Sequence, residues 1–122
     1  MNIEKLEKGG VTIAVITSQE KLITDAQSAL DLVMTVKYET GAERIVLDKR
    51  NVTEDFFILS RGLAGEVLQK FVNYHVKAAI FGDYSRYTSK PLHDFIYESN
   101  NGNDVFFPAT KDEAVEMLAR AK

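Results

Sequence analysis

Four short apolar runs, Val11–Val15, Ile45–Leu47, Val76–Phe81 and Val105–Phe107, are separated by three stretches long enough to hold a helix. Each of those stretches carries apolar residues at helical spacing: Ala26, Ala29, Leu30, Val33 and Val36 in the first; Leu63, Ala64, Val67, Leu68, Phe71 and Val72 in the second; Leu92, Phe95 and Ile96 in the third, where Ser99 completes the spacing. This alternation constrains the fold more than any other feature, because strands joined through helices can pair in parallel whereas strands joined by tight turns cannot. A fourth helical stretch, with Ala114, Val115, Leu118 and Ala119, follows the last run. Gly9-Gly10 precedes the first run and suits a tight turn, so Ile3 and Leu6 predict an antiparallel hairpin strand ahead of it. The expected fold is α/β, with a mixed, largely parallel sheet of about five strands, an N-terminal hairpin strand, right-handed crossovers and flanking helices. With two widely spaced prolines and no linker-like stretch, residues 1–122 read as one domain.

Local signals set the expected boundaries. Thr24 with Gln27 matches a capping box for the first helix, and Gly41 suits its left-handed end. Ser60 stands where it can cap the second helix, and the small residues Gly62, Ala64 and Gly65 suit close helix packing. Pro91 fits a first helical turn, Gly102 a permissive position after the third helix, and Thr110 with Glu113 a second capping box. Phe71, Ile80 and Phe95 are expected in the core from three different elements. His75 reads as a residue at a helix end.

Composition excludes several chemistries. The chain has no Cys, so disulfides, zinc ribbons, iron–sulfur clusters and thiol nucleophiles are ruled out. A net charge of −3 speaks against a nucleic-acid partner, which would be met by a basic face. No apolar run approaches the roughly 18 residues of a membrane span, and the charged start Met1-Asn2-Ile3-Glu4-Lys5 is unlike a signal sequence. A cytoplasmic location is therefore expected.

In sheets of this type, ligand-accessible groups gather beyond the carboxyl ends of the strands. Three segments qualify: Asp48-Lys49-Arg50-Asn51, the loop and helix start with Ser60, Arg61, Gly62 and Glu66, and Asp83-Tyr84-Ser85-Arg86. The candidate rim is thus Asp48, Arg50, Asn51, Ser60, Arg61, Gly62, Glu66, Asp83, Ser85 and Arg86. No catalytic set completes itself: there is no nucleophile elbow, P-loop or dinucleotide fingerprint, and His75 and His93 match no metal motif. No metal or other cofactor is called for.

The blocks Ser60-Arg61-Gly62-Leu63-Ala64-Gly65-Glu66 with Leu68-Gln69-Lys70-Phe71, Ala79-Ile80-Phe81-Gly82-Asp83, and Asp94-Phe95-Ile96-Tyr97-Glu98-Ser99-Asn100 resemble the bacterial family named domain of unknown function 4180, from Arg44 to about Ala119. More distantly, Asp48, Val52, Ser60-Arg61-Gly62-Leu63 and Gly82-Asp83 are similar to a pattern of the domain shared by sulfate transporters and anti-sigma-factor antagonists. That resemblance implies its fold and a non-enzymatic module binding a kinase or another regulator, with a phosphoacceptor Ser at the helix start. The position matching the usual phosphoacceptor is Arg61, the preceding acidic residue is replaced by Leu59, and the connection from Asp48 to Ser60 is longer.

The expected function is accordingly a regulatory or interaction module with a protein partner, a second copy of the chain among the candidates, and no nucleic acid or membrane. The alternative is a small-molecule or anion-binding domain, enzymatic or not, using the rim.

Overall fold

A computed structural model describes residues 1–122. Its elements run β1 (Asn2–Lys8), β2 (Val11–Thr17), α1 (Ala26–Thr40), β3 (Arg44–Asp48), α2 (Leu63–Asn73), β4 (Lys77–Phe81), α3 (Lys90–Asn100), β5 (Val105–Phe106) and α4 (Lys111–Arg120). Three short 3-10 turns, Lys49–Asn51, Glu54–Phe57 and Leu59–Arg61, fill the connection from β3 to α2. The strands lie side by side in chain order, β1-β2-β3-β4-β5. β1 and β2 form an antiparallel hairpin, and every later pairing is parallel. The α/β fold expected from the alternation is the fold observed, including the hairpin strand across Gly9-Gly10.

Chain-order stacking has a consequence for the layers. When each crossover has the same hand and each new strand adds to the same edge, the crossover helices must all lie on one face. The burial pattern follows this rule. Ala14, Ile16, Ile45, Leu47, Ala78 and Ile80 form one core with Leu32, Val33 and Val36 of α1, Val67 and Phe71 of α2, and Leu92 of α3. The alternate residues Ile13, Val15, Val46 and Ala79 meet only α4, through Ala114 and Leu118. Strand alternation therefore divides one sheet between a face under three helices and a face under one.

Helix boundaries agree with the sequence in part. Gly41 ends α1 at φ 73°, its N–H donating to the Lys37 carbonyl at 2.9 Å. Thr110 caps α4 by accepting from the Glu113 N–H at 3.2 Å. Pro91 lies in the first turn of α3 behind the cap Ser89. The capping box of α1, however, is Asp25 with Ser28, not Thr24 with Gln27: Asp25 Oδ1 accepts from the Ser28 N–H at 2.7 Å, and Ser28 Oγ accepts from the Asp25 N–H at 3.1 Å. An ionised carboxylate is the stronger acceptor, and it moves the start by one residue. Gln27 instead donates to Asp31 one turn on.

Ser60 does not cap α2. It sits inside the 3-10 turn Leu59–Arg61, and the boundary is Gly62 at φ 81°, a left-handed conformation that suits glycine. Gly102 is not left-handed either; α3 stops because the Asn101 side chain donates to the Tyr97 carbonyl at 2.8 Å and Asn100 Oδ1 is drawn off to the Phe107 N–H at 2.7 Å. Phe71 and Ile80 are buried, but Phe95 is half-buried at the edge of the larger core, against Phe107. Val72 is exposed, because an 11-residue helix lying on a sheet presents its outer face to solvent. His75 follows α2 in a left-handed conformation, φ 59°, as a helix-end residue.

Candidate functional site

The carboxyl ends of β2, β3 and β4 share one rim, and alternation decides what they present there. Thr17, Asp48 and Phe81 continue the rows Ile13-Val15, Val46 and Ala79, so they belong to the face of α4. Because α4 returns from β5, its first turn also stands at this rim. Between them lies a cleft of about 330 Å³ lined by Ile16, Thr17, Ser18, Gln19, Asp48, Arg50, Asn51, Phe81 and Lys111. A second, wider hollow of about 910 Å³ shares Asp48, Arg50 and Phe81 with it and continues over Lys49, Gly82, Asp83, Tyr84, Ser85, Arg86, Phe107 and Ala109.

The charged groups of the rim are held by neighbours. Asp48 accepts from the Arg50 backbone N–H at 2.8 Å, from Arg50 Nε at 3.2 Å and from Arg50 Nη2 at 2.8 Å. The carboxylate is only 18% exposed while the guanidinium is 88% exposed, so Asp48 anchors Arg50 and leaves its outer edge to solvent. Partial burial raises the Asp48 pKa, but the hydrogen bonds and charge of Arg50, with Lys49 beyond, outweigh it and hold the carboxyl below its usual value. Asp83 accepts from the Ser85 hydroxyl at 2.5 Å and the Ser85 N–H at 2.9 Å, and these bonds lower its pKa. Lys49 donates to Glu54 at 3.0 Å, Tyr87 donates its hydroxyl to the other Glu54 oxygen at 2.9 Å, and the ammonium lies 5.0 Å from the centre of the Tyr87 ring.

Beneath this layer Phe56, Phe57, Tyr84, Tyr87 and Phe107 form a continuous aromatic stack with ring centres 4.9 to 6.4 Å apart. Tyr84 donates to the Ile80 carbonyl at 2.6 Å, and burial pushes its phenol far above the ordinary range. The stack forms a floor too stiff to yield to a ligand without repacking. Gly82 fits the same wall: a Cβ there would stand 2.6 Å from Lys49 Cβ, so only glycine lets the end of β4 pass so close to Lys49.

Asn51 turns out to be a staple. It is 1% exposed, and its side-chain amide donates to the carbonyls of Ser18 at 2.9 Å and Glu20 at 2.8 Å, while its backbone carbonyl accepts from the N–H groups of Leu22 and Ile23. It ties the β2–α1 loop to the end of β3 and so shapes the cleft. Its Oδ1 alone has no partner.

The rim brings together Asp48, Arg50, Asn51, Asp83, Ser85 and Arg86. It does not include Ser60, Arg61, Gly62 or Glu66. Arg61 stands 3.9 Å from Asp55, and Gly62 and Glu66 line a separate groove of about 640 Å³ with Ala26, Gly65, Gln69, Lys70 and Asn73. Of the three 3-10 turns after β3, the second and third, Glu54–Phe57 and Leu59–Arg61, carry the chain away from the rim before α2 begins. Sequence reading placed Lys49 only within the segment Asp48-Lys49-Arg50-Asn51 and missed Glu54, Tyr87, Phe81 and Lys111; Phe81 ends β4 and Lys111 opens α4, so the end of an element was the available signal for these two. No three His, Cys, Asp or Glu side chains converge as metal ligands would, and no helix is long and apolar enough to cross a membrane.

A family model described as Domain of unknown function (DUF4180) matches residues 8–118. The chain belongs to the DUF4180 family. The match spans every element from the end of β1 into α4, so the rim and the α2 groove both lie within the DUF4180 domain. No curated protein and no solved structure matches the chain, and the similarity to the sulfate-transporter and anti-sigma-factor antagonist domain has no support from these comparisons.

Proposed function

We propose that this DUF4180 domain is a non-enzymatic regulatory module, similar in kind to anti-sigma-factor antagonist domains, that recognises a protein partner through the rim at the carboxyl ends of β2 to β4. One observation carries the reading: Asp48, Asp83, Lys49 and Glu54 are each committed to a neighbour, so the rim presents a fixed pattern of charge on a stiff aromatic floor. Such preorganisation lowers the ordering cost of binding. The partner meets Arg50 and Arg86 first, since both guanidiniums reach into solvent. Affinity isolation of the tagged chain from native lysate, with protein identification by mass spectrometry, is the test. A partner held by the wild type and lost by the folded Arg50→Glu/Arg86→Glu variant is expected. Equal recovery by both, or no partner together with turnover on a substrate panel, overturns the reading.

A second reading rests on the smaller cleft. There Arg50 and Lys111 line one cleft, and a small organic anion is the ligand that these two cations suit. Enzymatic use of the adjoining Asp83, Ser85 and Arg86 belongs to this reading. A rise in melting temperature with nucleotides or organic anions, abolished by Lys111→Glu, supports it; no rise with any of them removes it.

A further inference from the structure

β1 is an end strand of the sheet: β2 pairs with one side of it and no strand with the other. The two-residue turn Gly9-Gly10, with φ 62° and 82°, closes on the pair Lys8 and Val11, so the hairpin's hydrogen bonds use the N–H and C=O groups of Lys8, Leu6 and Glu4. Alternation then turns the backbone groups of Ile3, Lys5 and Glu7 to the open side, where none of them has a partner. A row of free donors and acceptors along an edge is a template for another strand.

The side chains say which strand. Charge of one sign along an edge keeps copies of the same chain apart, but β1 carries both signs, in the order Glu4-Lys5-Leu6-Glu7-Lys8. Read backwards, that order exchanges every sign about Leu6. An antiparallel copy centred there sets Lys5 opposite the other copy's Glu7 and Glu4 opposite the other copy's Lys8, with Leu6 against Leu6. All four charged residues are exposed, and Glu4, Lys5 and Glu7 form no ion pair within the chain. The backbone accepts the same register: Lys5 and Glu7, whose N–H and C=O groups point outward, become the hydrogen-bonded pairs, and Leu6 falls at the closer, non-hydrogen-bonded pair. Centring on Glu4, Lys5 or Glu7 instead sets two like charges face to face.

We propose that two copies of the chain join edge to edge through antiparallel β1 strands, on a two-fold axis at Leu6, so that the sheet of one copy continues into the other. Lys8, which already pairs with Glu116 of α4, then stands between two carboxylates. The contact lies at the end of the sheet away from the rim, because β1 runs antiparallel to β2 and reaches Lys8 where β2 begins, so both rims stay open. One strand pair makes a small contact, and the dimer is concentration-dependent.

Sedimentation equilibrium of the full chain, up to about 1 mM, is expected to show monomer and dimer in exchange. Lys5→Pro removes an outward N–H without touching the bonds to β2, so it is expected to abolish the dimer while dilute, monomeric protein melts close to wild type. Lys5→Glu and Glu7→Lys are each expected to weaken the dimer about tenfold, since like charges then oppose one another at both symmetry-related pairs, and the double reversal to restore it. Because the chain has no Cys, Leu6→Cys reports the register: mild oxidation is expected to link two copies through this position and not through Ile3→Cys. A wild type that stays monomeric throughout overturns the proposal. So does wild-type affinity in Lys5→Pro, a double reversal no better than the single ones, or equal cross-linking at the two positions.

Discussion

The two faces of the sheet are built from the same strands and alternate along them residue by residue, yet 23 buried residues form the core on one side and seven on the other. The difference comes from topology: strands added in chain order, with crossovers of one hand, place α1, α2 and α3 together and leave the second face to α4 alone. A face covered by one helix keeps part of its strand ends open. That is where the cleft lies, with Thr17, Asp48 and Phe81 from the thinly covered side as its wall. The heavily covered side gives stability, and the lightly covered side gives access.

The largest expected effect tests this division directly. Phe56 is fully buried among the aromatic rings of the three-helix side, and Phe56→Ala is expected to cost about 3 to 5 kcal/mol in urea unfolding. Leu118 is as fully buried but in the smaller cluster, where α4 can settle toward the sheet, and Leu118→Ala is expected to cost about 2 to 3 kcal/mol. A Leu118 variant less stable than the Phe56 variant breaks the comparison.

Next comes the boundary between the two sides. Gly82→Ala forces a Cβ against Lys49 Cβ, near the backbone where the lysine cannot swing away, and is expected to lose about 1 to 3 kcal/mol by strain. Thermal unfolding indistinguishable from wild type would show that β3 and β4 can separate at the rim. Thr110→Ala removes the cap that starts α4 at the same rim, with an expected loss of about 1 kcal/mol, read by the same melt.

The smallest effect is electrostatic. Asp48 has its pKa lowered in the folded state, so its contribution to stability is fully present above the unfolded value of about 3.9 and is lost as pH falls through the lower folded value. Asp48→Asn is therefore expected to flatten the acid end of the stability-against-pH curve while leaving its shape above pH about 5 unchanged. The effect is small because Arg50 is largely in water. A curve that keeps its acid slope would assign that slope to other carboxylates.

Much of the fold was legible in the chain. Apolar runs separated by helical stretches favour parallel pairing, Gly41 and the Thr110–Glu113 box each act through bonds within a few residues, and the Gly9-Gly10 turn fixes its own hairpin. Features that depend on distant chain were not legible. The stapling role of Asn51 was not legible, because the two carbonyls that its amide holds lie more than 30 residues away. Ser60 looked like part of the rim, but the 3-10 turns after β3 take it elsewhere, and those turns are set by how Phe56 and Phe57 pack against Tyr84, Tyr87 and Phe107. Gly65 looked like a packing glycine, but a Cβ built on it would meet only open space. By itself the sequence determined the order of elements, the hairpin and the largely parallel character of the sheet, and the ends set by Gly41, Pro91 and Thr110, since period and capping are local properties. Only the tertiary structure decided which face stayed open, which charges met at the rim and which were consumed beneath it, because these follow from contacts between residues far apart in the chain.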